Sequence, residues 1–145
     1  MKVLDILDES IVDGEGVRTV IYLAGCSHKC LGCHNIESWS PDNGKDMTVD
    51  EIVDYVKDLY DITLSGGDPL YQYEDTIELA KRLSREGKNI WLYTGYTIEE
   101  IFEHNKMYEI LNYVDVVVDG RFEIEKKDLS LKFKGSSNQR IIRLI

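Results

Sequence analysis

The spacing of apolar residues changes period several times along this chain, and each change marks an element. "KVLDIL" (2–7) and "VRTVIYLA" (17–24) are rich in β-branched and aromatic residues and predict strands, with "VDGEGV" turning between them. From residue 49 the period becomes helical. Val49, Ile52, Val53, Val56 and Leu59 share one face, and Thr48 with Glu51 forms a capping box, so the spacing predicts a helix over 48–60. "DITLS" (61–65) reads as a short strand. "YEDTIELAKRLSREG" (73–87) reads as a helix closed by Gly87, a residue suited to the left-handed turn that ends helices. "NIWLYT" (89–94) predicts a strand. Thr97 and Glu100 repeat the capping box and open a helix expected to run to about residue 113. "VDVVVD" (114–119) and "QRIIRLI" (139–145) complete the set as strands.

Strands that alternate with helices of this length imply right-handed βαβ units and a parallel sheet. The central strands are nearly continuous apolar runs, as expected where both faces are covered. A closed eight-stranded barrel takes about 250 residues, more than the 145 present. The expected architecture is therefore α/β, one domain over 1–145, built as a partial (open) TIM-type βα barrel with a mostly parallel sheet. No repeat, linker or low-complexity tract interrupts it, and both prolines, Pro41 and Pro69, fall in expected loops.

Composition adds limits. Hydrophobic residues at 43% and charged residues at 30% describe an ordinary globular chain. "MKVLDILDES" is acidic and lacks an apolar run suited to a signal peptide or a membrane span, so a cytoplasmic protein with reduced thiols is expected. The formal net charge of −10 argues against nucleic-acid and membrane partners. The charge is unevenly spread: residues 118–145 hold seven basic and four acidic side chains, a stretch that either docks an acidic partner or is a solvated surface.

The candidate chemistry is concentrated in "GCSHKCLGCHN" (25–35), which contains all three cysteines, Cys26, Cys30 and Cys33. The loop follows directly on an expected strand. Structural zinc usually takes four protein ligands, with cysteines in spaced pairs. Here His28, His34 or His104 would have to supply the fourth. His28 and His34 lie too close to the cysteines to complete a tetrahedron, and His104 is expected on an exposed helix face. Three thiolates on one short loop suit three corners of a cubane iron–sulfur cluster, leaving one iron open to a small molecule. Taken alone, the cysteines leave cluster, zinc and no metal all open.

"CSHKCLGC" resembles the CxxxCxxC signature of the radical S-adenosylmethionine (radical SAM) family. "TLSGGDPL" (63–70) is similar to that family's glycine pair, and glycine lets backbone groups approach a ligand closely. Both loops would leave the C-terminal ends of strands, where parallel α/β folds place ligands, as would "YTGYT" (93–97) and "VDGRF" (118–122). Taken in order, "DGEGVRTVIYLAGC", "CHNIESW", "SGGDPL", "YTGY", "VDGRF" and "GSSNQR" are similar to the glycyl-radical activating proteins. They resemble most those serving the anaerobic ribonucleoside-triphosphate reductase.

That resemblance implies a [4Fe-4S] cluster held by Cys26, Cys30 and Cys33, with S-adenosylmethionine (SAM) chelated at the open iron. It also implies reductive cleavage to methionine and a 5′-deoxyadenosyl radical that generates a glycyl radical on the reductase. The implied partners are the reductase and a low-potential electron donor. Gly66 and Gly67 would meet the methionyl end of SAM, and Gly32, Cys33 and His34 its adenosyl side. Asp68 would either hold the ammonium or cap the following helix. Tyr96 and Asp119, at later strand ends, would bind cofactor or serve turns and packing. Gly32 stands where many radical SAM proteins carry an aromatic residue, so His34 or a tyrosine from another loop would cover the adenine. Trp39 would pack beneath the cluster loop or in an ordinary core. The competing readings are an activator of another glycyl-radical enzyme, such as pyruvate formate-lyase, a small-molecule radical SAM enzyme of the 7-deazaguanine type, and a non-catalytic Cys3His zinc module.

Overall fold

A computed structural model describes residues 1–28, 30 and 39–144. Seven strands form one open sheet: β1 (Lys2–Ser10), β2 (Arg18–Leu23), β3 (Lys45–Asp46), β4 (Asp61–Gly66), β5 (Ile90–Tyr93), β6 (Val116–Asp119) and β7 (Arg140–Arg143). Their order is β3-β1-β2-β4-β5-β6-β7. The central β2, β4, β5 and β6 are parallel, while β1, β3 and β7 pair antiparallel to their neighbours, so the sheet is mixed.

Three helices form the crossovers: α1 (Val49–Val56), α2 (Tyr73–Arg85) and α3 (Ile98–Glu103). Because the parallel strands are laid down in one direction across the sheet, crossovers of constant hand bring every helix to the same face. The period-2 alternation of the strands then divides the interior. Ile21, Leu23, Ile62, Leu64, Ile90, Leu92 and Val117 pack under Ile52, Val56, Leu79, Leu83 and Ile101 of the helices. Trp91, Val116 and Val118 point to the other face, where Phe133 from the 120–139 segment meets them. The second face is thus covered by irregular chain rather than by helices.

That face also buries Arg18. Its guanidinium donates to Thr63 Oγ1 at 2.9 Å, Ile62 O at 2.8 Å and Asn89 O at 2.9 Å, joining the starts of β2, β4 and the residue before β5. Trp91 stacks under it, 5.6 Å from ring centroid to guanidinium carbon.

Both capping boxes are present, with Thr48 and Thr97 accepting from the amides of Glu51 and Glu100 and each glutamate reaching back. The helix expected over 97–113 is broken. α3 ends at Glu103, and a 3-10 segment, Met107–Asn112, follows. His104 makes the break, its Nδ1 accepting from the amides of Lys106 and Met107, and its ring lies 5.1 Å from that of Tyr73. It is thus a partly buried capping residue rather than a solvent-facing one. The basic stretch is largely engaged within the chain: Arg121 pairs with Glu100, Arg140 with Glu99 and Asp119, and Arg143 with Glu15. Among the described residues, no helix is long and apolar enough to cross a membrane.

Candidate functional site

Because β2, β4, β5 and β6 are parallel, their C-terminal ends share one rim. The four loops expected to converge do so, and backbone hydrogen bonds stitch them in two pairs. Gly67 N donates to Leu23 O and Asp68 N to Gly25 O, both at 2.8 Å; Thr94 N donates to Val118 O at 3.0 Å and Gly120 N to Tyr96 O at 3.2 Å. The cysteine loop leaves β2 at this rim, with Cys26 N donating to Trp39 O at 3.0 Å; Cys26 and Cys30 are both half-buried.

Gly66 ends β4 at φ +115, and a Cβ there would stand 2.3 Å from Leu23 O and 2.4 Å from Leu23 N. Glycine is therefore demanded by the neighbouring strand itself. Asp68 is 1% exposed. Its carboxylate accepts from Leu70 N (2.9 Å), capping the short Pro69–Gln72 helical turn, and from Thr94 Oγ1 (3.0 Å), Gly95 N (2.9 Å) and His28 Nε2 (2.6 Å). One side chain thus ties three of the four rim loops together.

The remaining loop is held by the 135–140 segment. Gln139 donates to Gly120 O (2.9 Å) while its Oε1 accepts from Gly135 N (2.8 Å), and Asn138 donates to Arg121 O (2.8 Å). Asp119, 1% exposed, accepts from Ile98 N at the start of α3 and pairs with Arg140. Arg121 lies over the Tyr96 ring at 5.9 Å and near enough to Cys30 to feel its charge; its bond to Glu100, above all, raises the guanidinium beyond its usual value. The same bond, followed by the Thr97 backbone, pulls the Glu100 carboxyl down to about 2.

A family profile described as "4Fe-4S single cluster domain" matches residues 12–142. Curated relatives agree along almost the whole chain. One from Pasteurella multocida is 40% identical, covering 92% of this chain and 91% of its own length. One from Haemophilus influenzae is 37% identical, covering 99% and 98%, and one from Enterobacteria phage T4 is 40% identical, covering 90% and 86%. Each is named an anaerobic ribonucleoside-triphosphate reductase-activating protein. This chain belongs to that family.

Among the residues singled out from the sequence, Cys26, Cys30, Gly66, Gly67, Asp68 and Tyr96 lie on the rim or in its loops, and Asp119 ends its fourth strand. Gly32, Cys33 and His34 lie outside the described residues. Asp68 caps the 3-10 turn Pro69–Gln72 that precedes α2 rather than the expected helix itself, and Asp119 anchors a helix start and an arginine. Two residues beyond those expectations belong to the site. His28, set aside above as a metal ligand, joins the rim through Asp68. Arg121 was visible only as part of a basic stretch; its place beside Tyr96 and Cys30 depends on the fold.

The donor set suits a cluster of the kind this family's profile describes. Two half-buried thiols sit on the loop that leaves the C-terminal end of a parallel strand, and the Arg121 guanidinium of the fourth rim loop would help to offset the negative charge of a thiolate-bound cluster there.

Proposed function

We propose that this chain is an activase of anaerobic ribonucleoside-triphosphate reductase that works through radical SAM chemistry. The observation that carries the reading is the convergence of the cysteine loop, the Gly66–Asp68 turn and the loops after β5 and β6 on one rim. The chain's 37–40% identity to relatives named as activators of that reductase supports it. Helices on a single face of an open, consecutively wound sheet fit an incomplete TIM-type barrel, here one radical SAM domain.

In this reading Cys26, Cys30 and Cys33 hold three irons of a [4Fe-4S] cluster, and the protein leaves the fourth without a side chain. The Gly66–Gly67–Asp68 turn borders the methionyl end of SAM. Gly32, Cys33, His34 and Tyr96 border its adenosyl end, and Asp119 holds the fourth loop in place. When bound, the cluster would supply one electron to SAM, so that its S–C5′ bond breaks to leave methionine and a 5′-deoxyadenosyl group able to take a hydrogen atom from a glycine Cα of the reductase. A low-potential donor must re-reduce the site. The residues of this chain orient the cofactor and exclude water.

The test is anaerobic reconstitution. The protein should turn brown and bind about four irons per chain, and Cys30→Ala should abolish this. With dithionite and SAM it should release 5′-deoxyadenosine, and a glycyl-radical EPR doublet should appear only when the reductase is added. A colourless protein with one zinc per chain would identify a binding module. A doublet on pyruvate formate-lyase but not on the reductase would reassign the partner.

A further inference from the structure

His28 lies between Cys26 and Cys30, yet its ring is turned away from solvent. Its side chain is 5% exposed and that of Asp68 is 1% exposed, with 2.6 Å between Nε2 and Oδ2. Among the described residues, the other donors to this carboxylate are the amides of Leu70 and Gly95 and the hydroxyl of Thr94. A carboxylate offers about four acceptor sites, so this set fills it, and the His28 ring is the donor that brings the cysteine loop into it. The ring is also packed from its other sides. Its centroid is 4.6 Å from that of Tyr96, edge to face, and a Cβ on Gly95 would stand 2.5 Å from His28 Cδ2. Gly95 is thus the space that the imidazole occupies.

We propose that His28 is a positioning residue: by donating to Asp68 and seating against Gly95 and Tyr96, it locks the cysteine loop to the β4 and β5 loops. The loop that carries the three cysteines and the loops assigned to SAM are separate chain segments, 40 residues apart from His28 to Asp68 and 27 from Asp68 to Gly95. Backbone hydrogen bonds hold the first residues of these loops, and among the described residues His28 adds a side-chain grip on the cysteine loop between Cys26 and Cys30. Without it, the cluster and the methionyl cradle would each form while their mutual distance and angle drifted. The inference rests on the SAM reading above for what is positioned, and on geometry alone for the lock.

The experiment compares wild type, His28→Ala, His28→Gln and Gly95→Ala, each reconstituted anaerobically. Gln keeps an N–H donor at about the reach of Nε2, whereas an alanine at 95 expels the ring without altering His28. The readout is the SAM-induced change in the EPR spectrum of the reduced cluster, titrated to a Kd. His28→Ala and Gly95→Ala should keep the wild-type iron content and weaken SAM binding about ten- to hundredfold, the range seen when outer-shell partners of metal sites are removed. His28→Gln should return to within about threefold of wild type. Amide hydrogen-exchange protection at position 95, whose N–H donates to Asp68, is measured in parallel on all four proteins without cluster, each relative to the intrinsic rate of its own residue, and should fall in the two alanine variants only. An unchanged SAM Kd, or unchanged protection at position 95, in both alanine variants would overturn the proposal. If the wild-type spectrum itself ignores SAM, the cofactor reading falls, and protection at position 95 still decides whether the lock exists.

Discussion

Two adjacent glycines carry different physical burdens. At Gly66 the obstacle to any side chain is the backbone of Leu23, and φ is +115. Gly66→Ala should therefore lose about 2 kcal/mol of folding stability through backbone strain alone, read by urea denaturation of the cluster-free protein. At Gly67 the expected demand is ligand approach. Gly67→Val should leave the cluster spectrum intact while weakening SAM binding by at least tenfold, about 1.4 kcal/mol, read by the same EPR titration. Equal SAM affinity would displace the cofactor from this turn. The sequence showed both glycines and suggested one reason for them; the structure separates the reasons, because the partner of Gly66 is a strand more than forty residues earlier.

Elements were legible where local chemistry decides them. Both capping boxes, the helix from 73 and the six strand runs were readable, since cap, period and β-branching act within a few residues. The break after α3 was hidden because Ile101, Met107 and Ile110 face the same core on both sides of it, so the apolar pattern continues across the interruption. β3 was hidden for the opposite reason. Lys45 and Asp46 are exposed and form a strand only through pairing with Lys2 and Val3. The N-terminus of α3 also carries a pH dependence. Arg121 and the Thr97 backbone lower the Glu100 carboxyl from its usual 4.5 to about 2, so its ionised form favours the folded state. That stabilisation is present above the unfolded value and fades as pH falls from about 4.5 towards 2. Glu100→Gln should accordingly be less stable than wild type at neutral pH, with the difference vanishing near pH 2; thermal melts of cluster-free protein at several pH values check it. A constant difference across that range would show that the carboxylate charge contributes nothing.

At the scale of the whole molecule, one buried cation fastens the strand starts and one buried anion fastens the strand ends. Arg18 satisfies carbonyls of residues 44 and 71 positions away. Arg18→Met should leave those acceptors dry and cost about 3 kcal/mol, seen as a lower urea midpoint with an unchanged slope. Asp68 gathers donors from His28, Thr94 and Gly95 at the other end. The "GSSNQR" segment, recognisable in the sequence only as a likeness, proves to be the clasp on the β6 loop through Gln139 and Asn138. The sequence by itself determined the alternation of strands and helices, the capped helix starts, the grouping of the cysteines and the family, because period, capping and motif spacing are short-range properties. Only the tertiary structure decided that the three described α-helices share one face, that the basic stretch is mostly paired within the chain, and that Asp68 takes its donors from three loops. Those outcomes depend on which distant groups share a buried space, and a carboxylate's lone pairs are assigned by whatever the fold brings within 3 Å of them.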